Sequence, residues 1–368
     1  MTQWDKDYLE LCKRILTEGE EVENRTGINT IKVPSHNFHF DLQKEFPILQ
    51  TKQLFFRNAI TEILWIYQVQ SNNVNWLQER SNHVWDEWKV DKDGIYRIYD
   101  PKGKDFNKEV PLKDLNGDII YSDNNEVKVK SLDGEKEIKD AKLYGDEFID
   151  TIGTAYGWIV NKYKLTDQLL DAIKNNPTDR RMIMSLWQNE WLKTAVLPSC
   201  VWSSEWDVTN GKLNAWVHQR SCDVPLGLPF NVTQYATLLT LFAKVSNLEP
   251  GTLDWSIKDA HIYVNQVDGV KEQLNRQSCY ESYLQTSKDN LIRMKNYLLE
   301  NKDYDPKALV DNETLIKILD LLIEPEKPYL WVNPGIDNFY DYDNSKELKD
   351  IKVKNYKHMG KIKFPLAQ

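Results

Sequence analysis

The chain has 368 residues, 41% hydrophobic and 28% charged, so it can bury a large core and is neither disordered nor collagen-like. Its 47 basic and 56 acidic residues leave a net charge of −9, which argues against a general nucleic-acid or anionic-membrane binder. Cys12, Cys200, Cys222 and Cys279 stand far apart with no CxxC pair, which excludes a zinc ribbon or a disulfide framework and points to a reducing, cytoplasmic setting. No apolar signal core follows Met1, and the longest apolar stretch, around Tyr235 to Val245, is too short for a bilayer.

Residues 3–18 read as an opening helix with Tyr8, Leu9, Leu11, Ile15 and Leu16 on one side. A turn at Asn24-Arg25-Thr26-Gly27 leads into strand-like alternation through Phe40, and residues 55–71 form a helix rich in aliphatic and aromatic side chains. From about Lys89 to Gly145 the character changes to short charged segments broken by Asp-Gly and Asn-Gly turns. We read 89–145 as an insertion, a small β-rich subdomain with little core of its own. A helix over 165–175 then precedes Arg180-Arg181 and a strand carrying Met182, Met184 and Leu186. Residues 201–208 and 213–220 alternate around Asn210-Gly211, a two-residue hairpin signal, and residues 232–246 are apolar all round, as in a buried helix. A helical insertion over 277–325 carries Leu315, Ile318, Leu319 and Leu322 at helical spacing, before a tail of strand and loop.

Several groups in this frame carry chemistry. Continued from the Asn210-Gly211 turn, the hairpin register sets Cys200 opposite Ser221 and near Arg220 and Asp223. A neighbouring guanidinium favours a thiolate, although on spacing alone an inert core cysteine is the favoured reading. Glu62 lies among Ala59, Trp65 and Ile66 on an apolar helix face. It is therefore either snorkelling, which the pattern alone favours, or buried with a raised pKa as a general acid or base. Asp259, His261 and Tyr263 alternate onto one strand face, which suits a sugar or base, or a wetted edge strand. Arg25, Arg180, Arg181 and Arg220 could assemble a phosphate site. Asn231 follows Leu228-Pro229-Phe230 at a helix start, where an N-cap is the simple reading. Nucleotide-triphosphatase, dinucleotide-binding, metalloprotease and zinc-ligand motifs are missing.

Leu197-Pro198-Ser199-Cys200, followed by Gln219-Arg220-Ser221-Cys222-Asp223-Val224-Pro225-Leu226-Gly227-Leu228-Pro229-Phe230-Asn231, closely resembles the active-site signature of the thymidylate synthase family. Ordered matches at Asn24–Gly27, Glu62–Trp65, Val84–Trp88, Ala155–Gly157, Asp179–Arg181 and Asp259–Tyr263 extend the resemblance over nearly the whole chain outside the two insertions. It implies one α+β catalytic domain over 1–368, a three-layer fold with buried helices and a large mixed or antiparallel sheet at a homodimer interface.

The resemblance also implies roles. Cys200 would add to C6 of dUMP, with Glu62 organising water and proton transfers and Tyr156 assisting near C5. Arg25, Arg220 and Ser221 would hold the phosphate, joined by Arg180 and Arg181 from a second subunit. Asn231 would read the uracil edge, His261 and Tyr263 the 3′-hydroxyl, while Asp223 touches both substrate and pterin. Trp85, Lys52, Gly227 and Ala367 would complete the 5,10-methylenetetrahydrofolate side, with no metal, nucleic acid or membrane involved. The sequence departs from the family at Val201, where a histidine is common, at Trp158-Ile159-Val160, and at the polar terminus Gln368. Reductive methylation of dUMP leads; dUMP hydroxymethylation and a non-enzymatic binding homologue stay open beside it.

Overall fold

A computed structural model describes residues 1–99, 110–122, 129–130, 138–301 and 309–366. Helix α1 (Gln3–Glu18) starts where Thr2 and Asp5 close a capping box, and its buried side carries Tyr8, Leu9, Leu11, Cys12 and Ile15. Strands β1 (Glu20–Val22) and β2 (Thr30–Asp41) precede helices α2 (Phe56–Tyr67) and α3 (Val74–Gln78). Strands β3 (Ile95–Tyr99), β4 (Val110–Lys113), β5 (Val129–Lys130) and β6 (Ile138–Leu143) follow, then α4 (Gly157–Tyr163) and α5 (Leu165–Asn175). Next come β7 (Ile183–Ser185), β8 (Val201–Thr209), β9 (Lys212–Gln219) and β10 (Cys222–Asp223). The chain then forms α6 (Gly227–Val245), β11 (Glu249–Tyr263), α7 (Val267–Ser282), α8 (Lys288–Glu300) and α9 (Asn312–Ile323), and ends with β12 (Tyr329–Val332) and β13 (Ile351–Lys354).

The described chain resolves into two compact units. One holds residues 1–60, 206–343 and 348–366; the other holds 61–205 and 344–347. Helix α2 and strand β8 each carry the chain from one unit into the other.

The first unit is built on a mixed sheet. Its strands run β1, β2, β11, β9, β8, with β10 also alongside β11. β2 is antiparallel to β11, and β9 is parallel to it. The turn between β8 and β9 is made by Asn210 and Gly211 at φ 52° and 75°, the left-handed pair that an Asn-Gly hairpin predicts. α6 is apolar on nearly every side and is buried on nearly every side, packing on β11 and β9. Helices α7 to α9 share an apolar cluster of Cys279, Tyr280, Leu291, Leu315, Ile318, Leu319 and Leu321.

In the second unit β7 pairs antiparallel with the first residues of β8, while Met182, Met184 and Leu186 are buried in alternation. Its other sheet has the order β3, β6, β4, β5 and falls within 89–145. This block has more core than its charged sequence suggests. Ile95, Val110, Leu112, Ile138 and Ala141 cluster on one face, and Val90, Tyr96 and Tyr144 form a second group with Trp88 and Phe148. The apolar residues are few but alternate with the charges, so one face of the small sheet is dry.

Candidate active site

In the second unit the reactive groups gather around Trp85. Its indole Nε1 donates to Glu62 Oε1 at 2.8 Å, and its ring lies 5.3 Å from that of Tyr156. Glu62 is only 8% exposed, so it is a buried carboxylate, not the snorkelling one that the helix pattern favours. The reason is tertiary: a tryptophan distant in sequence supplies the donor that makes burial affordable. The Tyr156 hydroxyl in turn accepts from the Cys200 backbone N–H at 2.9 Å. Among the four cysteines, Cys200 is half-buried while the other three are fully buried. Burial pushes the Cys12 thiol up to about 12 and raises that of Cys279, which leaves both inert.

Tyr156 stands at φ 46° and ψ −108° immediately before α4, a strained backbone of the kind that collects at functional sites. The next residue must be glycine, because a Cβ on Gly157 would lie 2.0 Å from the Ser71 carbonyl oxygen. The Tyr-Gly pair thus fixes where the phenol points.

In the first unit the sheet is interrupted at one level. β9 and β10 keep the same register against β11, with Gln219 opposite Ile257 and Cys222 opposite Ala260. Arg220 and Ser221 lie in the gap. Across β11 the break is matched by Pro34 of β2, which has no N–H to give, and between them Asp259 takes φ 59°. The strands β8 and β9 run from Val201 and to Gln219, so positions 200 and 221 fall outside the ladder in which the sequence paired them. The interruption releases Arg220 and Ser221 from sheet pairing. The turn bearing Arg25 leads into Thr30, which pairs with Tyr263, so this arginine sits at the same end of β11.

His261 is 7% exposed, and its Nδ1 lies 3.0 Å from Asp259 Oδ1, which also takes Lys32 Nζ at 2.8 Å on its other oxygen. With Nδ1–H donated to Asp259, Nε2 is left free to accept. His261 and Lys32 hold the Asp259 carboxyl down at about 2. A depressed carboxylate stabilises the fold above its unfolded pKa of about 4, and that contribution is lost as pH falls through the folded value. The stability gap between wild type and Asp259→Asn is therefore expected to narrow from about pH 4 toward about pH 2. Thermal melts of both proteins across that window check it, and a constant gap would deny the ion pair its role.

Asn231 is not an N-cap. α6 begins at Gly227, because Pro229 fits the first turn of a helix, where its missing N–H costs nothing. The Asn231 amide is instead oriented from both sides: Gln219 Nε2 donates to Oδ1 at 3.1 Å, and Nδ2 donates to Gln234 Oε1 at 3.0 Å. Gln219 is itself set by the Trp255 indole, which donates to its Oε1 at 3.0 Å. The Asp223 carboxylate accepts from Leu226 N–H and from Gln266 Nε2, both at 3.0 Å, and desolvation raises its pKa. Lys52 is buried, donates to the Pro225 carbonyl, and lies 4.6 Å from the Phe364 ring centre; burial draws its pKa down to about 8.

The family model for thymidylate synthase matches residues 6–316. A thymidylate synthase of Clostridium beijerinckii is 36% identical over 367 residues, covering all of both chains. Thymidylate synthase 1 of Bacillus subtilis is 31% identical over 377 residues, again over both full lengths. The solved structure of the thermostable thymidylate synthase A from Bacillus subtilis superimposes with a TM-score of 0.66 at 28% identity, covering both chains completely. The chain belongs to the thymidylate synthase family.

It is thus a methyltransferase by family, with that family's mixed sheet and buried helices. The blocks 89–145 and 277–325 lie inside the length shared with these thymidylate synthases. Of the site residues implied by the resemblance, Glu62, Trp85, Tyr156 and Cys200 come together in the second unit. In the first unit, Asp223 lies beside His261 in register, and Asn231 and Gly227 share the first turns of α6. Arg180 and Arg181 are exposed, the latter paired with Asp179 at 2.9 Å. Ala367 lies outside the described residues, as does Gln368. Val201 is buried at the start of β8.

Sequence reasoning missed Lys32, Gln219 and Gln266, which orient Asp259, Asn231 and Asp223. Gln219 could have been found, since it adjoins Arg220 in the signature and is a polar residue at a strand position expected to face inward. Lys32 carries no local signal. Among the described residues no cluster of three or more metal-type ligands is present, and no helix is long and apolar enough to cross a membrane.

Proposed function

We propose that this chain reductively methylates dUMP to dTMP, with 5,10-methylenetetrahydrofolate as co-substrate and dihydrofolate as by-product. The supporting observation is the second-unit cluster, in which a half-buried thiol hangs from a backbone pinned by Tyr156, next to a Trp85–Glu62 pair. The Cys200 thiolate adds to C6 of the uracil ring, the C5–C6 electrons move toward O4, and C5 becomes the carbon nucleophile. Bound folate supplies the one-carbon unit and the hydride. Glu62 handles the protons that O4 and C5 gain and lose, and Tyr156 assists near C5. Trp85 presents an apolar ring beside the buried carboxylate and keeps water from the carbon centre.

Arg25, Arg220 and Ser221 bind the 5′-phosphate, joined by Arg180 and Arg181 of the partner subunit in a homodimer. The exposure of both tandem arginines supports this, since a surface pair such as Arg181–Asp179 is weak and a phosphate dianion can displace it. His261, with Nε2 as acceptor, and Tyr263 take the 3′-hydroxyl. Asn231 offers Oδ1 to the ring N3–H and Nδ2 to O4, each still having capacity after its bonds to Gln219 and Gln234. For the pterin, Asp223 offers a carboxylate to amino and ring N–H donors, while Lys52 and Gly227 shape the surrounding wall.

Asn231→Asp is expected to raise the ratio of dCMP to dUMP turnover by about a hundredfold or more, because a carboxylate repels O4 and accepts from a 4-amino group. Competition kinetics with the two nucleotides reads this directly, and unchanged selectivity would remove Asn231 from base reading. The reaction itself is tested by incubating the protein with dUMP and methylenetetrahydrofolate and following dihydrofolate.

A further inference from the structure

One buried guanidinium lies outside all of these roles. Arg276, on α7, is 3% exposed. Its Nη1 donates to the carbonyls of Thr51 at 3.0 Å and Gly360 at 3.1 Å. Its Nη2 donates to the Lys361 carbonyl at 3.1 Å and to Glu272 at 2.6 Å. A single side chain therefore clamps two stretches of backbone that are about 310 residues apart in sequence. Its Nε has no partner among the described residues, so the site is not one that burial alone would favour.

The two clamped stretches meet along their length. Met359 N–H donates to the Gln50 carbonyl at 2.7 Å, and Gln53 N–H to that of Gly360 at 2.8 Å. The Tyr356 hydroxyl donates to the Leu49 carbonyl and accepts from Leu54 N–H, both at 2.8 Å. Lys52 follows Thr51 directly and lies against Phe364. Phe364 in turn packs so closely on Gly269 that a Cβ there would lie 2.6 Å from its ring. Next in the tail, the Pro365 carbonyl accepts from Gln266 Nε2 at 3.0 Å, the same amide nitrogen that holds Asp223.

We propose that Arg276 is a positioning residue for the folate half of the site. By locking the 49–54 loop to the 359–366 tail it sets Lys52 and, through Pro365 and Gln266, the Asp223 carboxylate. This rests on assigning Lys52 and Asp223 to the folate. Its effect falls mainly on folate, because neither clamped segment carries a residue assigned to dUMP and only Asp223, reached indirectly through Gln266, touches both ligands.

Arg276→Met is expected to weaken tetrahydrofolate binding to the dUMP-saturated protein about 10- to 100-fold, measured by titration calorimetry. KM for methylenetetrahydrofolate should rise by a similar factor, with the dUMP dissociation constant changed by less than about twofold. Arg276→Lys keeps a charge but reaches fewer carbonyls, so it should restore part of the folate affinity, and it carries the test if the methionine variant does not fold. Unchanged folate binding in the folded variants would overturn the proposal, as would equal losses for folate and dUMP. Lys52→Ala and Asp223→Asn are measured alongside. If they too leave folate binding unchanged, the folate assignment fails and takes the proposal with it; if they weaken it while the Arg276 variants do not, the positioning role alone fails.

Discussion

Cys200→Ser is expected to retain dUMP binding and to lose turnover by on the order of a thousandfold or more. The substitution changes one atom on a residue whose backbone stays pinned by the Tyr156 hydroxyl, so position and packing are preserved. What would be lost is the proposed nucleophile. A serine hydroxyl stays protonated at neutral pH, whereas a partly exposed thiol has accessible thiolate. None of the other cysteines can substitute, since Cys12, Cys222 and Cys279 are all buried. The check is direct: 5-fluoro-dUMP with methylenetetrahydrofolate should leave a covalent adduct on the wild type, because a C5–F bond is not broken as a C5–H bond is. The adduct should be missing from Cys200→Ser. An adduct that persists in the variant would place the nucleophile elsewhere.

Glu62→Gln is the second large effect, with kcat expected to fall about 10²- to 10⁴-fold and the melting temperature almost unmoved. Glutamine keeps an oxygen for the Trp85 indole N–H, so the 2.8 Å bond and the packing against Tyr156 survive. Only the capacity proposed for proton transfer would go. Steady-state kinetics and a thermal melt on the same preparation separate the two roles. Near-normal kcat would mean that Glu62 serves only to anchor Trp85, and a collapse in melting temperature would mean that the charge itself holds the fold.

Much of the frame was legible because local rules decide it. Thr2 and Asp5 cap α1 within four residues, and Asn210-Gly211 reads as a hairpin turn from two side chains alone. The motif residues at 200 and 219–231 were equally visible, since the resemblance rests on their types and order alone. What escaped was set by partners far away in sequence. Glu62 is buried because Trp85 reaches it, and Asn231 is oriented because Trp255 first orients Gln219. The gap at Arg220–Ser221 lies at the level where Pro34 of β2 and Asp259 of β11 drop out of their own ladder, which no single segment records. Likewise Arg276 looks like one more charge on an amphipathic helix until the tail folds back over it.

The carbon delivered to C5 is expected to be reduced to a methyl group. Mass analysis of the nucleotide formed from dUMP and methylenetetrahydrofolate tests it most directly. The expected product is dTMP, heavier than dUMP by one methylene, with one dihydrofolate released for each nucleotide. A 5-hydroxymethyl product with the folate left as tetrahydrofolate would contradict it.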